Sequence, residues 1–335
     1  VSGSPDGSIR HRYEIPVQLN DGITTGSIYP DLTDPDKFTT FQEEVIRQEY
    51  GRLESLLILK DRKLVVEEYY YGFDREKIHN THSCTKSIVS LLAGKAMTDH
   101  GRAEVEQAIL SFFPALNIPE PEKVGKISLK HVLTMSAGFS SDESYFSLGQ
   151  DNIPEFILSL ALESEPGEKF RYNSECPYLL GSIINALTGK TVDDYAREKL
   201  FDPLGIDEVE WTYAPASSGG LPDTGGGLYM KSRDMAKFGQ CYLDGGRWQD
   251  AQIIPESWVS DYQSPHVHVK DRYYYGYHWW VMTYLRIPEL GVEETMYLPY
   301  AHGFRGQHVF VMPAIQSVVT ITANGGYEGV DYLSI

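Results

Sequence analysis

In the stretch Ser83-Cys84-Thr85-Lys86-Ser87-Ile88-Val89-Ser90-Leu91-Leu92-Ala93-Gly94-Lys95-Ala96-Met97, seven apolar residues cover nearly the whole circumference of a helix. Ile88, Val89, Leu91, Leu92, Ala93, Ala96 and Met97 therefore predict a helix buried on all sides, with Gly101 ending it. The stretch opens on the single S-x-x-K of the chain. At a spacing of three on a helix, the Ser83 hydroxyl and the Lys86 amine share a face. The helix N-terminus adds free backbone N–H groups and positive potential beside the serine. A serine hydroxyl is a weak nucleophile until a base takes its proton, and a lysine serves as that base where burial or positive charge lowers its pKa. The apolar helix supplies burial. A pattern with two fixed positions arises by chance about once in a chain this long, so its surroundings decide its meaning.

Working outward, Leu56-Leu57-Ile58-Leu59, a turn at Asp61-Arg62 and Leu64 to Tyr70 form a β-hairpin pattern, preceded by a helical stretch from Phe41 to Tyr50. Residues 1–37, rich in Gly, Pro, Asp and Ser, read as an extended arm wrapping the body. Between Ile127 and Leu200 the pattern is mostly helical, clearest over Ile153 to Leu162 and Tyr178 to Leu187. After Pro203-Leu204-Gly205 come an amphipathic helix, Asp234 to Tyr242, and two late strands, His308 to Met312 and Val318 to Ala323. Strands at both ends of a helical middle predict one antiparallel sheet built from both termini, with a helical lobe inserted.

The chain has 335 residues and carries 47 acidic against 29 basic side chains, a formal charge of -18. That field repels phosphate backbones and anionic lipid, so nucleic acid is not an expected partner. Cys84, Cys176 and Cys241 are odd in number and lack a C-x-x-C pair, which argues against a disulfide framework and a structural zinc site. His266-x-His268 has no third ligand cluster and reads as exposed loop histidines rather than metal ligands. No metal or other cofactor is expected. No apolar run reaches membrane-spanning length. The start at Val1-Ser2-Gly3-Ser4, without Met, reads as a processed or tagged N-terminus and points to a periplasmic or secreted location over a cytoplasmic one.

A second chemical element is Phe170-Arg171-Tyr172-Asn173-Ser174, where the Tyr172 phenol is a candidate proton relay. Tyr-x-Ser also occurs at Tyr145, Tyr262 and Tyr332, and with 23 tyrosines a single one is more often packing than catalysis. The cluster Tyr273-Tyr274-Tyr275, Tyr277, Trp279 and Trp280 fits either an aromatic wall for an apolar acyl group or plain packing. The absence of a G-x-S-x-G elbow argues against an α/β-hydrolase triad, and His131 reads as a packed core residue.

Taken in order, several segments resemble the superfamily of class C β-lactamases, family VIII esterases and penicillin-binding proteins. They are Ser83-x-x-Lys86; His131-Val132-Leu133-Thr134-Met135-Ser136-Ala137-Gly138; Pro166-Gly167-Glu168-Lys169-Phe170-Arg171-Tyr172; Leu200-Phe201-Asp202-Pro203-Leu204-Gly205-Ile206; and Tyr275-Gly276-Tyr277-His278-Trp279-Trp280. The resemblance implies Ser83 as nucleophile, Lys86 as base and Tyr172 as general acid/base. It also implies that the backbone N–H groups of Ser83 and Phe304 form an oxyanion hole, with Gly303 permitting close backbone approach. Ser174 stands where the second motif usually has Asn, replacing an amide by a shorter hydroxyl. In the third motif, Ala301 stands where β-lactamases and transpeptidases have Lys or His, and His302 takes the next place, near substrate. Tyr145, in the loop after Gly138, is a further candidate substrate contact.

The fold class expected is α/β of the β-lactamase/transpeptidase-like kind. Residues 1–80 and 205–335 would form the antiparallel-sheet lobe, and residues 81–204 the helical lobe carrying Ser83, Lys86 and Tyr172. The function expected is hydrolysis of a small-molecule ester or amide through an acyl-enzyme on Ser83. A carboxylesterase ranks first, a D-amino-acid amidase or peptidase second and a β-lactamase third, because Ala301 removes a carboxylate anchor. A scaffold that has kept the fold without turnover is the rival of another class. The sequence leaves the oligomeric state open.

Overall fold

The computed structural model describes residues 2–3, 9–102, 104–140, 152–213, 220–262, 264–284 and 296–325. Its frame is the early hairpin, strands β2 (Leu53–Lys60) and β3 (Lys63–Tyr69), joined across Asp61 and Arg62. Both turn residues have positive φ, 47° and 64°. That geometry matches the right-handed twist of the flanking strands. A short strand from the N-terminal arm, β1 (Thr24–Thr25), lies parallel to β3.

The later strands of this sheet are β7 (Val267–Lys270), β8 (Tyr273–Tyr275), β9 (Trp280–Tyr284), β10 (Met296–Gly303), β11 (Gln307–Met312) and β12 (Ser317–Ala323). Among the described residues the strand order is β7-β8-β9-β10-β11-β12-β2-β3-β1, antiparallel except for the last pair. The two ends of the chain meet where β12 pairs with β2, with Val319 opposite Ile58 and Ile321 opposite Leu56. Period-two alternation sends Leu57 and Leu59 to one face and Leu56 to the other.

The face bearing Leu57 and Leu59 packs on α2 (Cys84–Asp99) and α5 (Ser232–Leu243), whose buried residues include Ile88, Leu92, Phe238 and Tyr242. A Cβ on Gly239 of α5 would lie 2.6 Å from Val318 and 2.7 Å from Val309. The missing side chain is what lets the helix sit this close to β11 and β12. The opposite face is covered by α1 (Pro35–Ile46), through Val45 and Phe41. This helix begins six residues before the expected Phe41, because Asp34 accepts hydrogen bonds from the Asp36 and Lys37 amides and Pro35 suits its first turn.

Two further helices, α3 (Ile153–Leu158) and α4 (Glu175–Thr188), lie in the middle of the chain, and α3 stops four residues short of the expected Leu162. Residues 84–201 contribute no strand among the described residues. Strands β7 to β10 go beyond the two late strands expected, and a second sheet was not anticipated either. Strands β4 (Ile78–Asn80), β5 (Val209–Trp211) and β6 (Leu228–Lys231) form a separate three-stranded sheet in the order β4-β6-β5. Strands of three or four residues are too short to display an alternation in the sequence.

Candidate active site

The small sheet delivers Ser83. The Thr81 N–H, just past β4, donates to the Leu228 carbonyl at 2.8 Å, and its hydroxyl donates to the same oxygen at 2.9 Å. His82 then adopts a positive φ of 46° and turns the chain into α2. Ser83 stands at the N-cap of α2, half-buried, while Lys86 is buried within the first turn. The predicted shared face is realised: Lys86 Nζ donates to Ser83 Oγ at 3.0 Å. It also donates to the Gly225 carbonyl and lies 5.2 Å from the centre of the Tyr172 ring.

The carbonyl that receives Lys86 belongs to a loop that sequence reasoning missed. Asp223 Oδ1 accepts from the Gly225 amide at 2.8 Å, the Gly226 amide at 3.0 Å and the Tyr178 hydroxyl at 2.7 Å. Its own backbone oxygen receives Trp211 Nε1 at 2.7 Å. The Asp223 carboxylate thus shapes the turn and ties it to α4, and its backbone oxygen ties the turn to β5. The run Asp223-Thr224-Gly225-Gly226-Gly227 was the available signal, since glycines permit such close backbone approach.

Tyr172 is 38% exposed, stacked on Trp280 at 5.8 Å and edge-on to Tyr275 at 6.1 Å. The aromatic cluster of the sequence therefore splits. Trp280 and Tyr275 flank Tyr172, whereas Trp279 is fully buried against Tyr242 and Tyr277 is buried against Trp258. Behind Tyr172, the segment from His131 to Gly138 acts as a brace. Met135, at φ 56°, accepts the Arg171 amide, Ser136 accepts the Gly167 amide, and Leu133 accepts the His278 amide.

After Tyr172, Asn173 is buried. Its Oδ1 accepts the Cys176 amide at 2.9 Å and its Nδ2 donates to the Arg171 carbonyl, which fixes the entry into α4. Ser174 is half-buried at the N-cap of α4, its Oγ 3.5 Å from a Cβ built on Gly225. It therefore borders the turn that holds Lys86.

At the end of β10, a Cβ on Gly303 would lie 2.3 Å from the Thr81 carbonyl and 3.2 Å from His82 Cβ. The strand end and the Ser83 turn touch backbone to backbone, a contact that only glycine permits. Phe304 follows, exposed, its ring edge-on to His82 at 5.7 Å. Ala301 is fully buried in the core beneath the sheet, so strand alternation places His302 on the other face. There His302 lies 4.8 Å from the ring of His308. Gly303 and Phe304, rather than His302, carry the described contacts with the Ser83 turn.

His131 departs from the core role expected of it. It is half-buried and forms a capping box with Ser128, accepting the Ser128 amide on Nδ1 at 3.1 Å. His266 stacks on Tyr277 at 4.3 Å, and His268 lies beside Tyr274. All three cysteines are free and buried, and burial pushes their thiols up, Cys241 to about 12. Such thiols are inert. Tyr145 lies outside the described residues. Among the described residues, no helix is long and apolar enough to cross a membrane.

Sheet, buried helix and the Ser83–Lys86 pair together define the β-lactamase/transpeptidase-like class of fold. The chain belongs to the beta-lactamase family, whose profile matches residues 48–334. It is similar to the 6-aminohexanoate-dimer hydrolase of Paenarthrobacter ureafaciens, 25% identical over 229 residues, 62% of this chain and 56% of that protein. The chain spans about half the length of the curated relatives it matches. Among solved structures, EstCE1, a hydrolase with promiscuous acyltransferase activity, has a TM-score of 0.68 at 16% identity, covering 88% of this chain and 96% of that one. A D-stereospecific amidohydrolase from Streptomyces sp. has a TM-score of 0.63 at 12% identity, covering 84% and 93%. These two likenesses show the fold.

Proposed function

We propose that the protein is a serine hydrolase acting on a small carboxylic ester through an acyl-enzyme on Ser83, without a metal. The observation that carries this reading is the 3.0 Å hydrogen bond between Lys86 Nζ and Ser83 Oγ, with the Tyr172 ring beside the same amine. Substrate lies between the sheet lobe, residues 1–80 and 205–335, and the helical lobe, residues 81–204. Ser83 Oγ attacks the carbonyl carbon as its proton passes to the Lys86 and Tyr172 pair. The oxyanion that forms is held by the N–H groups of Ser83 and Phe304, a contribution worth about 10²–10³ in rate for each donor. The close approach at Gly303 supports this placement, because it brings β10 against the Ser83 turn. Collapse expels the alcohol, which takes back the proton. Water then attacks the acyl-enzyme by the reverse route and releases the acid.

Ala301 stands where the resemblance puts a basic carboxylate anchor, which ranks β-lactams below simple esters. Amides stand second, supported by the names of the aminohexanoate-dimer hydrolase and the D-stereospecific amidohydrolase. The test is the initial rate of p-nitrophenyl butyrate hydrolysis by the wild type and by Ser83→Ala, matched by circular dichroism. Turnover that falls to background in Ser83→Ala is the expected result. Equal activity in both removes Ser83 as nucleophile, and equal inactivity leaves a narrower amide substrate or a scaffold role. Cephalosporin turnover far above that of the ester would reverse the ranking.

A further inference from the structure

Three side chains rim the flank of the Ser83 turn that the hydrolytic chemistry leaves unused: His82, Phe304 and Arg305. His82 and Arg305 both hold positive φ, 46° and 65°, a conformation uncommon outside glycine. Arg305 takes this conformation in the β10–β11 hairpin turn, as Asp61 and Arg62 do in theirs, whereas His82 takes it at the entry to α2. The three side chains are contiguous. The His82 ring meets Phe304 edge-on at 5.7 Å, and the Arg305 guanidinium lies 5.6 Å from the centre of the same Phe304 ring. Arg305 Nη1 donates to Asn324 Oδ1 at 3.1 Å. This partner is a neutral amide, and among the described residues no carboxylate pairs with the guanidinium. Burial and the nearby Arg305 charge hold His82 below the usual histidine range, which leaves its ring neutral and able to donate a hydrogen bond. Phe304, 62% exposed, offers an apolar platform between the two.

The charge of the whole chain sharpens the point. A formal charge of -18 repels an anionic substrate from most of the surface. At the position in β10 where a basic anchor is expected, Ala301 is fully buried. Arg305 lies four residues further along the same hairpin, next to the Phe304 amide. We infer that His82, Phe304 and Arg305 form a subsite for a carboxylate-bearing substituent of the substrate, with Arg305 as the residue that selects it. The inference rests on the reading of Ser83 as nucleophile and narrows its substrate class to anionic esters or amides. Guanidinium is suited to the task because its planar fork matches carboxylate geometry.

The test compares kcat/KM for three esters: neutral p-nitrophenyl butyrate, mono-p-nitrophenyl glutarate with the carboxylate on the acyl side, and 4-(butyryloxy)benzoate with it on the leaving group. Each is measured with the wild type, Arg305→Gln and Arg305→Lys. For one of the two anionic esters, the ratio to the neutral ester is expected to fall about fivefold in Arg305→Gln, the size of one exposed charge pair. Arg305→Lys should recover part of the ratio, and the wild-type ratio should decline as ionic strength rises. The ester that responds identifies the side of the scissile bond. If both ratios are the same in the wild type and Arg305→Gln, the subsite is refuted while the Ser83 chemistry stands. If the wild type hydrolyses none of the three esters, the ester reading falls and the subsite for anionic esters falls with it.

Discussion

Replacing Gly303 by alanine probes the contact on which the whole arrangement depends. The new Cβ would sit 2.3 Å from the Thr81 carbonyl, 3.0 Å from Gln307 Cβ and 3.2 Å from His82 Cβ. The first of these cannot yield by a rotamer change, because it is backbone. The Thr81 carbonyl also accepts the Cys84 amide at 3.1 Å, and the Thr81 N–H and hydroxyl are both tied to Leu228. Ordinary contact therefore requires the end of β10 to retreat by about 1 Å, at an overpacking cost of about 1–3 kcal/mol. The Phe304 amide would retreat with it, away from Ser83. A displacement of about 1 Å at a reacting centre costs about 10² in rate. Gly303→Ala should thus lower kcat on p-nitrophenyl butyrate about a hundredfold while the far-ultraviolet circular dichroism stays native. Full activity and an unchanged thermal midpoint in Gly303→Ala would refute the close approach and the role given to the Phe304 amide.

Asp223→Ala removes the acceptor of three hydrogen bonds that shape the Gly225 turn, so kcat should fall about tenfold with little change in KM. An equal rise in KM would place Asp223 in substrate binding instead. Gly239→Ala forces a methyl group against Val309 and Val318, and denaturant unfolding should register a loss of about 1–3 kcal/mol. No loss would mean that α5 does not rest on β11 and β12. Burial holds His79 down at about 4 and His278 at about 3, so both stay neutral in the folded chain, while the unfolded chain takes up their protons below about 6.5. Stability should then fall as pH drops through the window from about 6.5 to those values, by up to about 1.4 kcal/mol per pH unit for each group. The raised Glu54 carboxyl beside His79 works in the opposite sense. A thermal midpoint that holds or rises between pH 7 and 5 would contradict this account.

Local chemistry was legible where a pattern repeats over several turns or alternations. The β2–β3 hairpin follows from Leu56 to Tyr70 with a two-residue turn, and α2 follows from apolar residues on every side. The Ser83–Lys86 contact follows from the same helix, because three residues is close to one turn. Much of what escaped was built from pieces too short to carry a period. Strands β4, β5 and β6 are three or four residues long and lie far apart in the chain. The Asp223 turn draws its meaning from groups on two other elements, α4 and β5.

The sequence by itself determined the class of fold, the pairing of the two chain ends in one sheet and the face shared by Ser83 and Lys86. These depend on local periodicity and on the order of segments. Tertiary structure alone decided that the Gly225 carbonyl receives Lys86, that Trp280 stacks on Tyr172, and that His302 lies across the strand from Ala301. It also decided that Arg305 rests on Phe304. These are contacts between groups distant in sequence, or consequences of which strand face meets the core. Such facts are set by the packing of whole elements, and no single segment records them.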